Sequence, residues 1–90
     1  MAPSPLPLDC AVERLEAEIA ALRERLGASS RILEERRLAR LLAHTPLADH
    51  DFGMARDRHR GLRDRLLAAQ AHLGALILER EEGSGDLRAG

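Results

Sequence analysis

The sequence predicts an all-α fold, an antiparallel helical hairpin of the coiled-coil type, from its composition, its apolar spacing and one central break. Leu occurs 17 times and Ala 15 times in 90 residues, whereas Phe52 is the only aromatic residue. Leu and Ala are strong helix formers, and the aromatic and β-branched residues that strands favour are nearly absent. Apolar residues recur at alternating steps of three and four in two long segments, which is typical of helices that pack through one narrow seam.

The first helix follows a proline-rich segment. Pro3, Pro5 and Pro7 alternate and predict an extended tail over residues 1–8. Asp9 is suited to cap a helix, which we expect to span about 9–43. Its seam positions are Val12, Leu15, Ile19, Leu22, Leu26 and Leu33, with Ser29 at a position where the repeat calls for an apolar residue.

The first helix has a weak point near Gly27–Ser30, because Gly costs up to ~1 kcal/mol relative to Ala inside a helix. Beyond it, the apolar stripe shifts by more than a quarter turn to Leu38, Leu41 and Leu42. Either the helix bends here, or two helices meet with Ser29 or Ser30 as the second N-cap. We expect one kinked helix. Gly27 and Gly61 fall at similar levels if the turn is near Thr45–Pro46, which predicts either a close approach of the two backbones, the favoured interpretation, or a weak, bendable midpoint.

The chain turns back at His44-Thr45-Pro46, within a turn predicted over about 44–50. Thr is suited to cap the second helix and Pro to occupy its first position, although Asp49 or Asp51 could cap a later start. The second helix should span about 46–82. Gly83-Ser84-Gly85 predicts its end and a disordered tail over 83–90. The seam of this helix comprises Phe52, Ala55, His59, Leu62, Leu66, Ala69, Leu73 and Leu76.

The second helix carries more apolar surface than one partner helix can cover. A second heptad-spaced line runs beside its seam, and Ile77 widens the face further. Exposed apolar faces mark interaction sites, so we predict that this face binds another helical protein, or a second copy of the chain in a four-helix bundle. The tail or a folded-back part of the first helix could instead cover it. The predicted partner-binding residues are Leu66, Leu67, Ala71, Leu73, Gly74, Leu76, Ile77 and Leu78.

Charge and composition weigh against several other functions. The net charge is −1, which gives no strong attraction to nucleic acid or to a membrane surface. The Arg56–Arg65 segment carries a local surplus of positive charge, so a small nucleic-acid-binding hairpin is an alternative function. No aromatic side chains are available there to stack on bases, and a solvated face with interspersed ion pairs is the favoured interpretation. A surface for an acidic partner is the intermediate alternative.

No pattern in the chain indicates an enzyme, a cofactor or a metal site. A Gly-rich phosphate loop is absent, and the four histidines do not have the spacing of metal ligands. Cys10 is the only cysteine and is expected to be a spectator thiol. Residues 1–8 lack a basic n-region, and no apolar run suffices for a signal peptide or a membrane span, so we expect a cytoplasmic, non-enzymatic protein.

The layout resembles a known family, the small co-chaperones of the type III secretion needle subunit. Asp49-His50-Asp51-Phe52 opens the second helix, Leu62 follows ten residues later, and Leu66-Leu67-Ala68-Ala69 come next. The resemblance covers roughly residues 12–82. It implies a cytoplasmic helical hairpin that binds a helical-repeat chaperone and helps to keep an aggregation-prone needle subunit soluble.

Overall fold

The protein folds into two long helices that lie side by side. The computed structural model describes the backbone of residues 7–89 and the side chains of residues 8–82. Helix α1 spans Pro7–Ala43 and helix α2 spans Pro46–Ala89. The molecule measures 68 × 30 × 13 Å, so its smallest dimension is about the thickness of a single helix. The prediction of an all-α antiparallel hairpin is confirmed.

The outer ends of the helices differ from the predicted ones. Helix α1 begins at Pro7, two residues before Asp9, because proline fits the first helical position, where its missing N–H is not needed. The predicted extended tail otherwise lies outside the described residues. Helix α2 continues to Ala89 and does not end near Glu82 as predicted. Glycine weakens a helix, but unlike proline it keeps every backbone hydrogen bond.

Helix α1 is continuous through Gly27–Ser30, so the alternative of two helices meeting there is wrong. The predicted close approach at Gly27 and Gly61 is wrong as well. A Cβ atom added to either glycine would have no neighbour within 4 Å. Both glycines are exposed, since the seam between the helices is formed by other residues.

The turn between the helices has the predicted cap. The Ala48 backbone N–H donates a hydrogen bond of 3.1 Å to Thr45 Oγ1, and Pro46 is the first helical residue of α2. Thr45 is therefore the N-cap, and the alternative caps Asp49 and Asp51 lie inside the helix. His44 closes α1 in the left-handed region, with φ 50°.

Three contacts between the helices fix their register. Asp9 meets Arg80 at the open end, Ser29 meets His59 near the middle, and Arg40 meets Asp49 beside the turn. The two residue numbers in each contact add up to 88 or 89, so the pairing does not slip along the hairpin.

The hydrophobic core occupies the half of the hairpin that is far from the turn. It consists of buried seam residues, with Leu26, Leu73 and Leu76 packed against them, and Val12 is buried at the outer end. No large side chain among the described residues is completely buried, as expected for a two-helix layer. The core residues are Leu15, Ile19, Leu22, Leu62, Leu66 and Ala69.

Candidate docking surfaces

The predicted partner-binding residues divide into two groups. Leu66 is only 9% exposed and belongs to the core, so it does not lie on the exposed surface on which the sequence placed it. Leu73 and Leu76 are half-buried and pack against the same core. All three are seam residues that face α1, and the hairpin itself uses their apolar surface.

Four of the five remaining predicted residues form an exposed line, the α2 stripe, defined as Leu67, Ala71, Gly74 and Leu78. Leu67 is 57% exposed and Leu78 is 58% exposed, and the two small residues between them are exposed as well. The stripe extends over eleven residues of helix, about 16 Å. It contacts no other part of the described chain that would bury it.

A shallow groove adjoins the α2 stripe. Its volume is ≈ 450 Å³, similar to those of two other grooves in the described part of the molecule, ≈ 420 and ≈ 480 Å³. Ile19, Leu73, Gly74 and Ile77 contribute its apolar surface, and Glu16 and Arg23 line it from α1. Gly74 therefore belongs to both surfaces, and the half-buried Ile77 joins the stripe to the seam.

A second group of exposed apolar residues lies in the turn half, and sequence reasoning did not assign it to a docking surface. Its members are between 47% and 85% exposed: Ile32, Leu38, Leu41, Leu42, Leu47 and Met54. The shift of the apolar stripe beyond Gly27–Ser30 had already separated Leu38, Leu41 and Leu42 from the seam in the sequence. Ile32 and Met54 belong to no apolar repeat, and only the packing of the helices shows that they share a groove.

The groove between Ile32 and Met54, called here the central groove, has a volume of ≈ 420 Å³. It forms because small side chains, Ala28, Ser29 and Ala55, occupy the space between its two large apolar residues. Four charged residues also line it, namely Arg25, Arg36, Arg58 and Asp51.

One hydrogen bond explains why two polar residues occupy the seam beside the central groove. Ser29 is 8% exposed, and its Oγ lies 3.3 Å from Nδ1 of the half-buried His59. A hydroxyl can donate to an unprotonated ring nitrogen or accept from a protonated one, so either tautomer is satisfied. Ser29 interrupts the apolar repeat of α1, and His59 interrupts the apolar repeat of α2 at the same level.

A third groove lies near the turn, and its lining includes Arg37, Arg40 and Phe52. The Arg40 guanidinium carbon is 4.9 Å from the centre of the Phe52 ring, and that of Arg56 is 6.0 Å away. Arg40 also pairs with Asp49 across the turn, with Nε 3.0 Å from Oδ1. The Phe52 ring therefore already contacts two arginines of its own chain.

The Arg56–Arg65 segment does not present a single basic face. At about 100° per residue, Arg56, Arg60 and Arg63 fall on one flank of α2, and Arg58 and Arg65 fall on the other. The buried residues Leu62 and Leu66 lie between the two flanks. The positive charge is therefore divided between opposite sides of the hairpin.

The described residues contain no group of three or more His, Cys, Asp or Glu side chains placed to hold a metal ion. Cys10 is half-buried and forms no disulfide. In the same part of the chain, neither helix combines the length and the apolarity that crossing a bilayer requires. Comparison with protein-family models, with curated proteins and with solved structures finds no match to this chain.

Proposed function

We propose that the hairpin is a non-enzymatic adaptor that docks a helix of another protein on the α2 stripe. The observation that supports the proposal is the exposure of Leu67 and Leu78 on a helix whose opposite face already forms the core. The resemblance to needle-subunit co-chaperones suggests a more specific form, a cytoplasmic co-chaperone whose partner is a helical chaperone or the needle-type subunit.

The stripe has the geometry of a helix-docking site. Leu67 and Leu78 lie eleven residues apart, three turns of helix, and Ala71 and Gly74 lower the surface between them. An amphipathic helix can place its apolar residues against such small residues, as in other helix-in-groove complexes. Completely burying a fully exposed leucine is worth about 1.5–3 kcal/mol. Because Leu67 and Leu78 are 57% and 58% exposed, covering them would supply a part of the roughly 8 kcal/mol that corresponds to a micromolar affinity.

The test uses a double variant, Leu67→Gln with Leu78→Gln, which removes the apolar surface and retains good helix formers. Tagged wild-type and variant chains are expressed in the native cell, and the proteins that copurify are identified and compared. A matched control carries Leu42→Gln with Leu47→Gln, because these leucines are at least as exposed but lie outside the stripe. We expect one protein to copurify with the wild type and the control and to be lost from the double variant.

Direct binding measurements with the identified protein should then show a loss of at least about tenfold in affinity for the double variant, and equal helicity of all three chains. Retention of every copurifying protein by the double variant would contradict the proposal. Light scattering of the purified chain tests the main alternative. A micromolar dimer that the double variant dissociates would show that a second copy covers the stripe, in a four-helix bundle.

A nucleic-acid-binding hairpin remains the second alternative, although the division of the arginines between two flanks gives it less support. Retention of the chain on a nucleic-acid column, lost steeply as salt increases, would favour it.

A further inference from the structure

We infer that the central groove is a second, separate binding site, and that it accepts an acidic amphipathic helix of a partner protein. This inference does not depend on the α2 stripe. Two features of the groove support the inference. Its apolar walls are half exposed, and arginines outnumber acidic residues in its lining.

The apolar part of the site comes from both helices. Ile32 of α1 is 47% exposed and Met54 of α2 is 53% exposed, although both line the same concave surface. Beneath them, Ser29 and Leu62 are buried and close the floor. An unbranched methionine side chain adapts to different apolar partners, which suits a binding site. The groove is thus apolar in its centre and is not filled by the chain itself.

The charges that line the groove favour an acidic occupant. Arg25, Arg36 and Arg58 contribute three guanidinium groups, and Asp51 contributes the only carboxylate. None of these three arginines is within 4.0 Å of a carboxylate oxygen of the described chain, so their charges are available to a ligand. Arginine is well suited to bidentate pairing with a carboxylate.

The dimensions of the groove favour a helix over a small molecule. Arg25 and Arg36 are eleven residues apart on α1, about 16 Å, which equals three turns of an occupant helix. By the hairpin register, Arg36 and Asp51 lie at the end near the turn and Arg25 at the other end, with Arg58 between them. A helix that carries glutamates at both edges of a narrow apolar face would match this arrangement, with fewer acidic residues near Asp51.

The charges of the described chain are unevenly distributed along the hairpin. Residues 8–20 and 68–82 hold two arginines and seven acidic residues, whereas residues 21–67 hold eleven arginines and seven acidic residues. The open end therefore has a net charge of −5 (two minus seven), and residues 21–67 have a net charge of +4 (eleven minus seven). The central groove lies in this basic part.

The experiment selects binders from a displayed library of random 16-residue peptides on the intact wild-type chain. We expect the enriched peptides to be acidic and to carry apolar residues at helical spacing. Synthetic copies should lose at least about tenfold in affinity for Arg36→Glu and for Met54→Gln, measured by fluorescence anisotropy. Arg31→Glu is the matched control, because Arg31 is an exposed arginine of the same segment that does not line the groove.

Several outcomes would overturn the inference: no enriched peptide, peptides without an acidic bias, or equal losses for Arg31→Glu and Arg36→Glu. Circular dichroism of each variant shows whether a loss reflects unfolding. Vesicles containing phosphatidylserine and a short DNA duplex are measured in parallel. Binding of either one that depends on Arg36, without any acidic peptide, would replace the inferred helix with a membrane or a nucleic acid.

The same selection distinguishes this site from the α2 stripe. Peptides that bind the central groove should bind the Leu67→Gln, Leu78→Gln variant with unchanged affinity. Enriched peptides that lose binding only in that variant would support the proposed function and refute the second site.

Discussion

Neighbouring leucines in α2 have opposite roles, which is clearest at residues 66 and 67. Leu66 is 9% exposed and packs in the core, whereas Leu67 is 57% exposed and lies in the α2 stripe. One step along a helix rotates a side chain by about 100°, enough to move it from the seam to the outer surface.

We predict that Leu66→Ala lowers the free energy of unfolding by about 2–3 kcal/mol, because it leaves a cavity in a core with few members. Leu67→Ala should change it by less than about 0.5 kcal/mol, since it removes only exposed surface. Urea denaturation followed by circular dichroism measures both. Equal effects of the two substitutions would be inconsistent with the packing described.

The Ser29–His59 pair is the other residue-scale feature that sets the hairpin apart from a uniform apolar seam. A polar residue at a seam position commonly fixes the register of a coiled coil at a cost in stability. Here two such residues meet at one level and satisfy each other. The pair therefore disfavours slipped registers, in which one polar group would face an apolar side chain.

A double-mutant cycle with Ser29→Ala and His59→Leu tests this pairing. We predict a coupling energy of about 0.5–1.5 kcal/mol in the free energy of unfolding, the usual net worth of one hydrogen bond. A control cycle uses Ser30→Ala in place of Ser29→Ala. Because Ser30 is exposed, the effects of Ser30→Ala and His59→Leu on the free energy of unfolding should simply add. Additivity in both cycles would show that the two groups do not interact in solution.

At the scale of the helix, exposed glycines are the clearest weakness. Gly27 and Gly61 lie inside α1 and α2, and a methyl group added at either position would contact nothing within 4 Å. Neither has a positive φ, so no local conformation requires glycine. Their cost is the conformational freedom that glycine loses on folding.

We predict that Gly27→Ala and Gly61→Ala each raise the free energy of unfolding by about 0.5–1 kcal/mol, with a higher Tm. Thermal and urea unfolding measure the gain. Ala21→Gly, at an exposed position of α1, should cause a loss of similar size. A destabilising effect of either alanine would mean that the helices approach more closely there than described.

At the scale of the whole molecule, the two halves of the hairpin differ in stability. The buried residues lie between positions 12–29 of α1 and 62–69 of α2, whereas the turn half exposes six large apolar side chains. Its cohesion comes from half-buried residues, the Arg40–Asp49 ion pair and the arginines on Phe52. An exposed ion pair contributes little, about 0–1 kcal/mol.

We predict that amide hydrogens in residues 12–26 and 62–76 exchange at least about tenfold more slowly than those in residues 31–42 and 47–58. Hydrogen–deuterium exchange with mass spectrometry of the purified chain measures this difference. Uniform protection along both helices would contradict it. A ligand in the central groove should slow exchange in the turn half, because it would order the less stable end.

The sequence by itself determined the two helices, the turn between them and the seam residues, because turn signals and helical periodicity depend on close neighbours in the chain. It left Thr45, Asp49 and Asp51 open as caps of the second helix. It also placed Leu67 and Leu78 on a line beside the seam. Only the tertiary structure decided that Ser29 meets His59 and that Ile32 and Met54 share a groove. Burial and contact between helices depend on their register and on which side of each helix the other covers, and no single helical repeat contains that information.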